Sequence, residues 1–305
     1  MPFHRRLVLL LYAIVVVCGY PTLPPILEFS AAKPPPFRNW DEILIEEPRF
    51  LEFIANHKAR ALSLTNGASD HLPNLLSGGL SSGPIAKSPT GQVVRIAAAY
   101  PGLDARPVHD LGAKFQHDDL TWVEAVVDAR SMILAEFGRV EPGCSEMWKS
   151  FSTRKGESFS KATGWEHLAL TDWFRYTELA QKFPESMELL LDIVGTERRL
   201  GPRHIAIARQ RPGSGIPEHS DLINTQMTLH LPLKVGNGDA GIVVNGEALE
   251  WVEGTPLIID TTFVHSTYNR GTEDVLLLLV DFWHPDLSLD EIRALRRFYA
   301  ANSRV

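Results

Sequence analysis

Gln226-Met227-Thr228-Leu229-His230-Leu231-Pro232-Leu233 repeats with a period of two. Met227, Leu229, Leu231 and Leu233 fall on one side of an extended chain, and Thr228, His230 and Pro232 on the other, because successive side chains of a strand point to opposite faces. The segments around it also read as strands: His204–Arg209, Gly241–Val244, Ala248–Val252, Pro256–Asp260 and Val275–Phe282. Gly236-Asn237-Gly238-Asp239 supplies a turn between two of them. Strands this closely spaced leave no room for the crossover helices of a parallel sheet. The expected fold class is therefore mainly β, an antiparallel sandwich or barrel with flanking helices.

Helices are expected on either side of the strands. Pro48 suits a first turn, and Phe50, Leu51, Ile54 and Ala55 recur at helical spacing. Thr121 and Glu124 fit a capping box, Trp122, Val123, Val126, Ile133, Leu134 and Phe137 form an apolar stripe, and Gly138 is expected to end that helix. Ser288 and Glu291 fit a second capping box before Ile292, Leu295 and Phe298.

Composition bounds the partners. The chain has 305 residues, 44% of them hydrophobic, and a formal charge of -7. It lacks the basic footprint of a nucleic-acid binder. Its two cysteines, Cys18 and Cys144, give no disulfide framework and no cysteine zinc site. Basic residues His4 to Arg6 precede the apolar run Leu7–Cys18, which is short for a span and suited to a signal peptide. Residues 1–20 are thus expected to be a signal peptide or short anchor, placing the chain in the secretory pathway, in the endoplasmic reticulum lumen or secreted, with any membrane contact through this segment. Residues 21–94 read as a proline-rich linker (21–36), a short helix and a Gly- and Ser-rich loop from Thr65 to Gln92. Residues 95–305 read as the main domain.

The chemistry concentrates at His219-Ser220-Asp221. Side chains two apart on an extended chain point the same way, so an imidazole and a carboxylate can share one ion. His265 follows the apolar strand Leu257–Ile259 and the segment Asp260-Thr261-Thr262-Phe263. Antiparallel pairing would bring it beside His219. Two histidines and one carboxylate make the facial triad of non-haem iron(II) sites, with open positions left for other ligands.

From Ala99 to Phe298 the chain resembles the aspartyl/asparaginyl β-hydroxylase family. The matching segments are Tyr100–Leu103, Lys182–Glu185, Arg211–His219, Leu229–Leu231, Gly246–Glu247 with Trp251–Gly254, Ile259–His265 and Val280–Leu287. The resemblance implies a double-stranded β-helix (a cupin-like jelly roll), Fe(II), 2-oxoglutarate and O2 as cofactor and co-substrates, and hydroxylation of a peptide or protein side chain, Asp or Asn, in a secreted module. His219 and His265 match the family's metal histidines, and Asp221 stands where the best-known members carry glycine. His230 matches a position that contacts the co-substrate carboxylate. The family's two co-substrate arginines fall at Thr228 and Val275, and a serine contact at Ala208. Arg270 is the first candidate for the replacing cation, followed by Arg209 and Arg211. Two other functions fit the same residues: a binding module that has lost 2-oxoglutarate, and a cupin-like metal enzyme that never used it. Ser145–Trp173, where the substrate would lie, carries no readable code.

Overall fold

A computed structural model describes residues 48–55, 85–95, 99–150, 164–172 and 175–302. The expected signal segment, the proline-rich stretch and most of the Gly- and Ser-rich loop lie outside the described residues. Among these residues no helix is long and apolar enough to cross a membrane.

The elements in chain order are α1 (residues 48–55), β1 (Ile85–Lys87), β2 (Val93–Arg95), β3 (Val108–His109), α2 (Trp122–Val140), β4 (Lys149–Ser150), β5 (Trp165–Ala169), β6 (Thr171–Asp172), β7 (Arg175–Tyr176) and α3 (Pro184–Val194). There follow β8 (Leu200–Gln210), β9 (Gln226–Lys234), β10 (Ala240–Val244), β11 (Glu247–Glu250), β12 (Leu257–Ile259), β13 (His265–Asn269), β14 (Val275–Trp283) and α4 (Leu289–Asn302). Seven strands form a major antiparallel sheet in the order β3-β12-β9-β14-β8-β5-β4, and β11-β10-β13 form a second. Residues 213–219 run along the free edge of β13, bonded at Ser214, Ile216 and His219, and act as an irregular fourth strand of that sheet. The strand pattern's antiparallel, mainly β fold is thus found, in the jelly-roll form that the family resemblance implies.

Register fixes which side chains look inward. Leu279 of β14 lies opposite His230 of β9, and Leu277 opposite Ala208 of β8. Directly opposed residues share a face, so Thr228, His230, Ala206, Ala208, Val275, Leu277, Leu279 and Asp281 form one inner face. Its apolar members pack against Ala240, Ile242 and Val244 of β10. The outer face takes the helices: the α2 residue Trp122 meets Phe282 edge-on at 5.1 Å. Glu136 of α2 accepts from the Glu185 and Ser186 amides at 2.9 and 2.7 Å, satisfying the orphan donors at the start of α3. Because both faces are covered, β9 is buried over eight of its nine residues and β14 throughout.

Several local expectations change. Ser288 and Glu291 make the reciprocal capping box. Thr121 does not cap α2, because its hydroxyl and amide both bind Asp119. Gly138 lies inside α2, which runs on to Val140. The last residues of the expected loop form β1 and the turn of a hairpin whose second strand is β2. This hairpin and α1 belong to the body of the jelly roll, through Val93 on Thr262 and Arg49 on Glu291, so a boundary at residue 95 cuts through existing contacts. The strand expected to begin near His265 is β13, whereas β5 went unread because Trp165–Ala169 is short and mixed in polarity.

Glu291 is the joint between α1 and the strands. Its carboxylate accepts from Arg49 at 2.8 and 2.6 Å, from the Tyr100 hydroxyl at 2.8 Å and from the Ser288 amide at 2.7 Å. Around it Phe50 and Phe53 of α1 pack with Leu295 and Phe298 of α4. Glu291→Ala removes a cap and a charge-assisted bond together. It should destabilise the fold by about 3 kcal/mol in urea unfolding.

Candidate metal centre

His219 and His265 face each other as one antiparallel residue pair. Each amide donates to the other's carbonyl at 2.9 Å, and the rings lie 4.2 Å apart, centroid to centroid. Position is thus set by the backbone before any side chain acts. The rings are then oriented by a repeated device. Nδ1 of His219 sits 2.8 Å from the Pro217 carbonyl, and Nδ1 of His265 sits 2.9 Å from the Phe263 carbonyl. A carbonyl only accepts, so each Nδ1 carries the proton and each Nε2 keeps its lone pair for a metal. Burial lowers the pKa of His265 and favours the neutral, ligating form.

Asp221 completes the set. Its amide donates to Thr261 at 2.9 Å, and Ser220 Oγ lies 2.7 and 2.9 Å from the Val93 and Thr262 carbonyls. The next residue, Leu222, has φ 68°, a left-handed conformation that costs a leucine about 1–2 kcal/mol. It turns the chain sharply after the carboxylate. Ligand atoms from His219, Asp221 and His265 lie within 4.8 Å of one another. An ion with bonds of about 2.1 Å would draw them closer by roughly an ångström each.

The approach to His265 is shaped by Asp260. It accepts from the Thr262 amide and hydroxyl at 2.9 and 2.5 Å, and Gln92 donates to its other oxygen at 2.6 Å.

Arg203 was not singled out by sequence, yet it is the cation at this site. Residues 201–204 of β8 stand opposite Asp281 alone, since the register jumps from Val280–Ile205 to Phe282–Leu200. This bulge carries Arg203 inward. A side chain at Gly201 would meet the Asp281 carbonyl oxygen at 2.8 Å, so only glycine suits that close approach. Arg203 Nη1 lies 2.8 Å from Asp221 Oδ2, and Nε lies 3.1 Å from Asp281 Oδ2. Oriented oxygen-inward, the Gln226 amide also accepts from its Nη2 at 2.8 Å. Burial alone would raise the Asp221 pKa, but Arg203, then His265 and His219, outweigh it and hold the carboxyl well below its usual range. Arg203 takes Oδ2 and leaves Oδ1 for an ion. The lone acid in Val275–Trp283 was the readable signal: a carboxylate in so apolar a strand needs a buried partner. No comparable signal marked Arg203.

The other expected residues divide. His230 lies on the inner face, buried, with Nδ1 unpartnered. Burial first, then His265, pushes its pKa down to about 4, so the ring is neutral. Thr228 gives its hydroxyl to Asp281 at 2.6 Å. Arg270 points outward, which corrects its assignment as a co-substrate ligand. It is bound to Asp239 at 2.7 Å, lies over Tyr268 and is 69% exposed. It stands five strand residues from His265, roughly 17 Å at about 3.4 Å each. Arg209 and Arg211 are also engaged elsewhere, both on Glu166, with Arg209 stacked 4.0 Å from Trp148.

A jelly roll presenting two Nε2 atoms and a carboxylate oxygen to one point defines a facial-triad class of metal site. A sequence model described as aspartyl/asparaginyl beta-hydroxylase matches residues 128–285, and the chain belongs to that family. Among curated relatives, human aspartate beta-hydroxylase domain-containing protein 2 is 36% identical over 212 residues, 66% of this chain and 53% of that one. Human aspartyl/asparaginyl beta-hydroxylase is 30% identical over 117 residues, 38% of this chain and 14% of that one. The chain thus spans about half the length of the first, and the match to the second is shorter still. A solved prolyl hydroxylase from Trichoplax adhaerens aligns with a TM-score of 0.37 at 13% identity, over 55% of this chain and 81% of that one.

Removing a ligand tests the set. His219→Ala and His265→Ala should each weaken Fe(II) or Mn(II) binding more than about 100-fold, since even outer partners of a ligand cost 10–100-fold. Circular dichroism should stay unchanged, because the sheets close without an ion. Asp221→Gly should weaken binding at least tenfold in the same calorimetric titration. Unchanged affinity would make Asp221 an acceptor for Arg203 only.

Proposed function

We propose that this chain is an iron(II)-dependent oxygenase that hydroxylates a peptide or protein side chain, with a 2-oxo acid and O2 as co-substrates. The observation that carries the reading is the pairing of His219 with His265, both rings turned to offer Nε2 beside Asp221. The donor set fits iron(II): two borderline imidazoles and one hard carboxylate, with positions left open. When bound there, iron(II) supplies the activation of dioxygen. The chain's own residues hold and orient. Backbone carbonyls fix the imidazole tautomers, Arg203 steadies Asp221, and the apolar inner face excludes water. The family relationship supports the Asp or Asn β-carbon as the position modified, and the apolar N-terminal run supports a secretory-pathway substrate.

The fit to 2-oxoglutarate itself is poorer. The two positions where the family resemblance puts arginines are Thr228, bonded to Asp281, and Val275, buried among apolar side chains. This observation favours a second reading, a jelly-roll module that binds a peptide without turning it over.

Mass spectrometry of Asp- and Asn-containing peptides separates the two. One added oxygen atom, dependent on Fe(II), a 2-oxo acid and O2 and absent with His265→Ala, is the expected result. Peptide binding that ignores metal, with no oxygen added under any condition, would establish the binding module.

A further inference from the structure

Among the described residues, the inner face that would receive a co-substrate offers no Lys or Arg free to meet a second carboxylate. It runs through Ala208, Ile259, Val275, Leu277 and Leu279, with Trp251 packed against it. Around Ala208, Val275, Leu277, Leu279 and Ile259, Arg203 is the one arginine or lysine turned inward among the described residues; His204, 3.6 Å from Asp281, has its pKa lowered by burial. Arg203 is already matched by Asp281 and Asp221. Lys149, on the edge strand β4, is exposed and lies two strands from Ala208, about 10 Å away. His167, beside Ala208, is held neutral, its pKa pushed to about 4 by burial first and then by His204 and Lys149.

The charge balance points the same way. Asp281 cancels Arg203, and Asp221 offsets one charge of a divalent ion. Counting the described residues, the centre is left with a single positive charge to meet its ligand. One carboxylate satisfies it; a second, buried against valine and leucine, would carry an uncompensated charge costing on the order of several kcal/mol. Two buried donors nearby have no partner: Trp251 Nε1, and His230 Nδ1 in the tautomer that carries its proton there. They serve an oxygen acceptor without adding charge.

We infer that the co-substrate of this centre is a 2-oxo monocarboxylate with an uncharged tail, chelating through its carboxylate and keto oxygens while the tail lies on the inner face. The inference rests on the oxygenase reading above and narrows it. The balance is unchanged from any 2-oxo acid oxygenase. The 2-oxo acid, O2 and a substrate C–H give CO2, a carboxylate one carbon shorter and a C–OH. Each of the two oxygen atoms of O2 enters one of the latter two products.

The test is anaerobic titration of the Fe(II)-loaded full chain with 4-methyl-2-oxopentanoate and with 2-oxoglutarate, followed by the visible charge-transfer absorption of the chelate. Half-saturation by the monoacid should come at a concentration at least tenfold lower. Val275→Arg, which places a cation on the inner face, should shift the preference toward 2-oxoglutarate by tenfold or more. Tighter binding of 2-oxoglutarate by the natural chain would overturn the inference and leave the oxygenase reading standing. So would a folded Val275→Arg protein with unchanged preference. If neither acid gives the absorption while iron is bound, the oxygenase reading falls with it. The comparison on the natural chain decides the matter even if the variant does not fold.

Discussion

The His219–His265 pair bears the rest of the site. Two amide–carbonyl bonds of 2.9 Å lock the two residues side by side, and each ring is then aimed by a carbonyl two residues upstream in its own chain. None of these four contacts involves an ion. A metal site built this way spends little of its binding energy on ordering its ligands. It also explains the irregular edge: residues 213–219 follow β13 closely enough to keep the pairing, yet depart from a regular strand so that Asp221 can turn back toward the histidines.

Around that pair the polar groups form one chain. Thr228 binds Asp281, Asp281 binds Arg203, and Arg203 binds Asp221. Two of its members, Thr228 and Asp221, are places where the sequence departs from the pattern it otherwise resembles. The departures belong together. An arginine at residue 228 would compete with Arg203 for Asp281, and a glycine at residue 221 would leave Arg203 with a single carboxylate. The bulge at residues 201–204 is the backbone feature that permits the exchange. The outcome is a His219, Asp221 and His265 cluster able to hold an ion, with Arg203 matched by two carboxylates beside it.

Much of the frame was legible in the sequence. The alternation of Met227 to Leu233 gave β9 and its two faces, because its inner side carries Thr228 and His230 while its outer side is apolar; β14, buried on both sides, reads as an almost continuous apolar run. His219, Asp221 and His265 could be joined because strand spacing and hairpin order carry that information. The Ser288–Glu291 box was legible because it is local. Other features were hidden because they depend on distant partners. Thr121 loses its capping role to Asp119, two residues upstream, a competition that spacing does not reveal. Gly138 does not stop α2, whose burial against the sheet outweighs the roughly 1 kcal/mol glycine penalty. Arg203 enters the site only through a register shift, and Arg270 leaves it because Asp239 and Tyr268 hold it at the hairpin end.

The backbone-paired histidines and Asp221 together can take one metal ion while Arg203 keeps the second carboxylate oxygen. Anomalous diffraction from crystals of the full chain grown with Mn(II) tests it most directly. The expected result is a single peak bonded to Nε2 of His219, Nε2 of His265 and one oxygen of Asp221, with Arg203 still on the other oxygen. An ion bound elsewhere, or an Asp221 carboxylate turned wholly to Arg203 with the ion on the histidines alone, would contradict it.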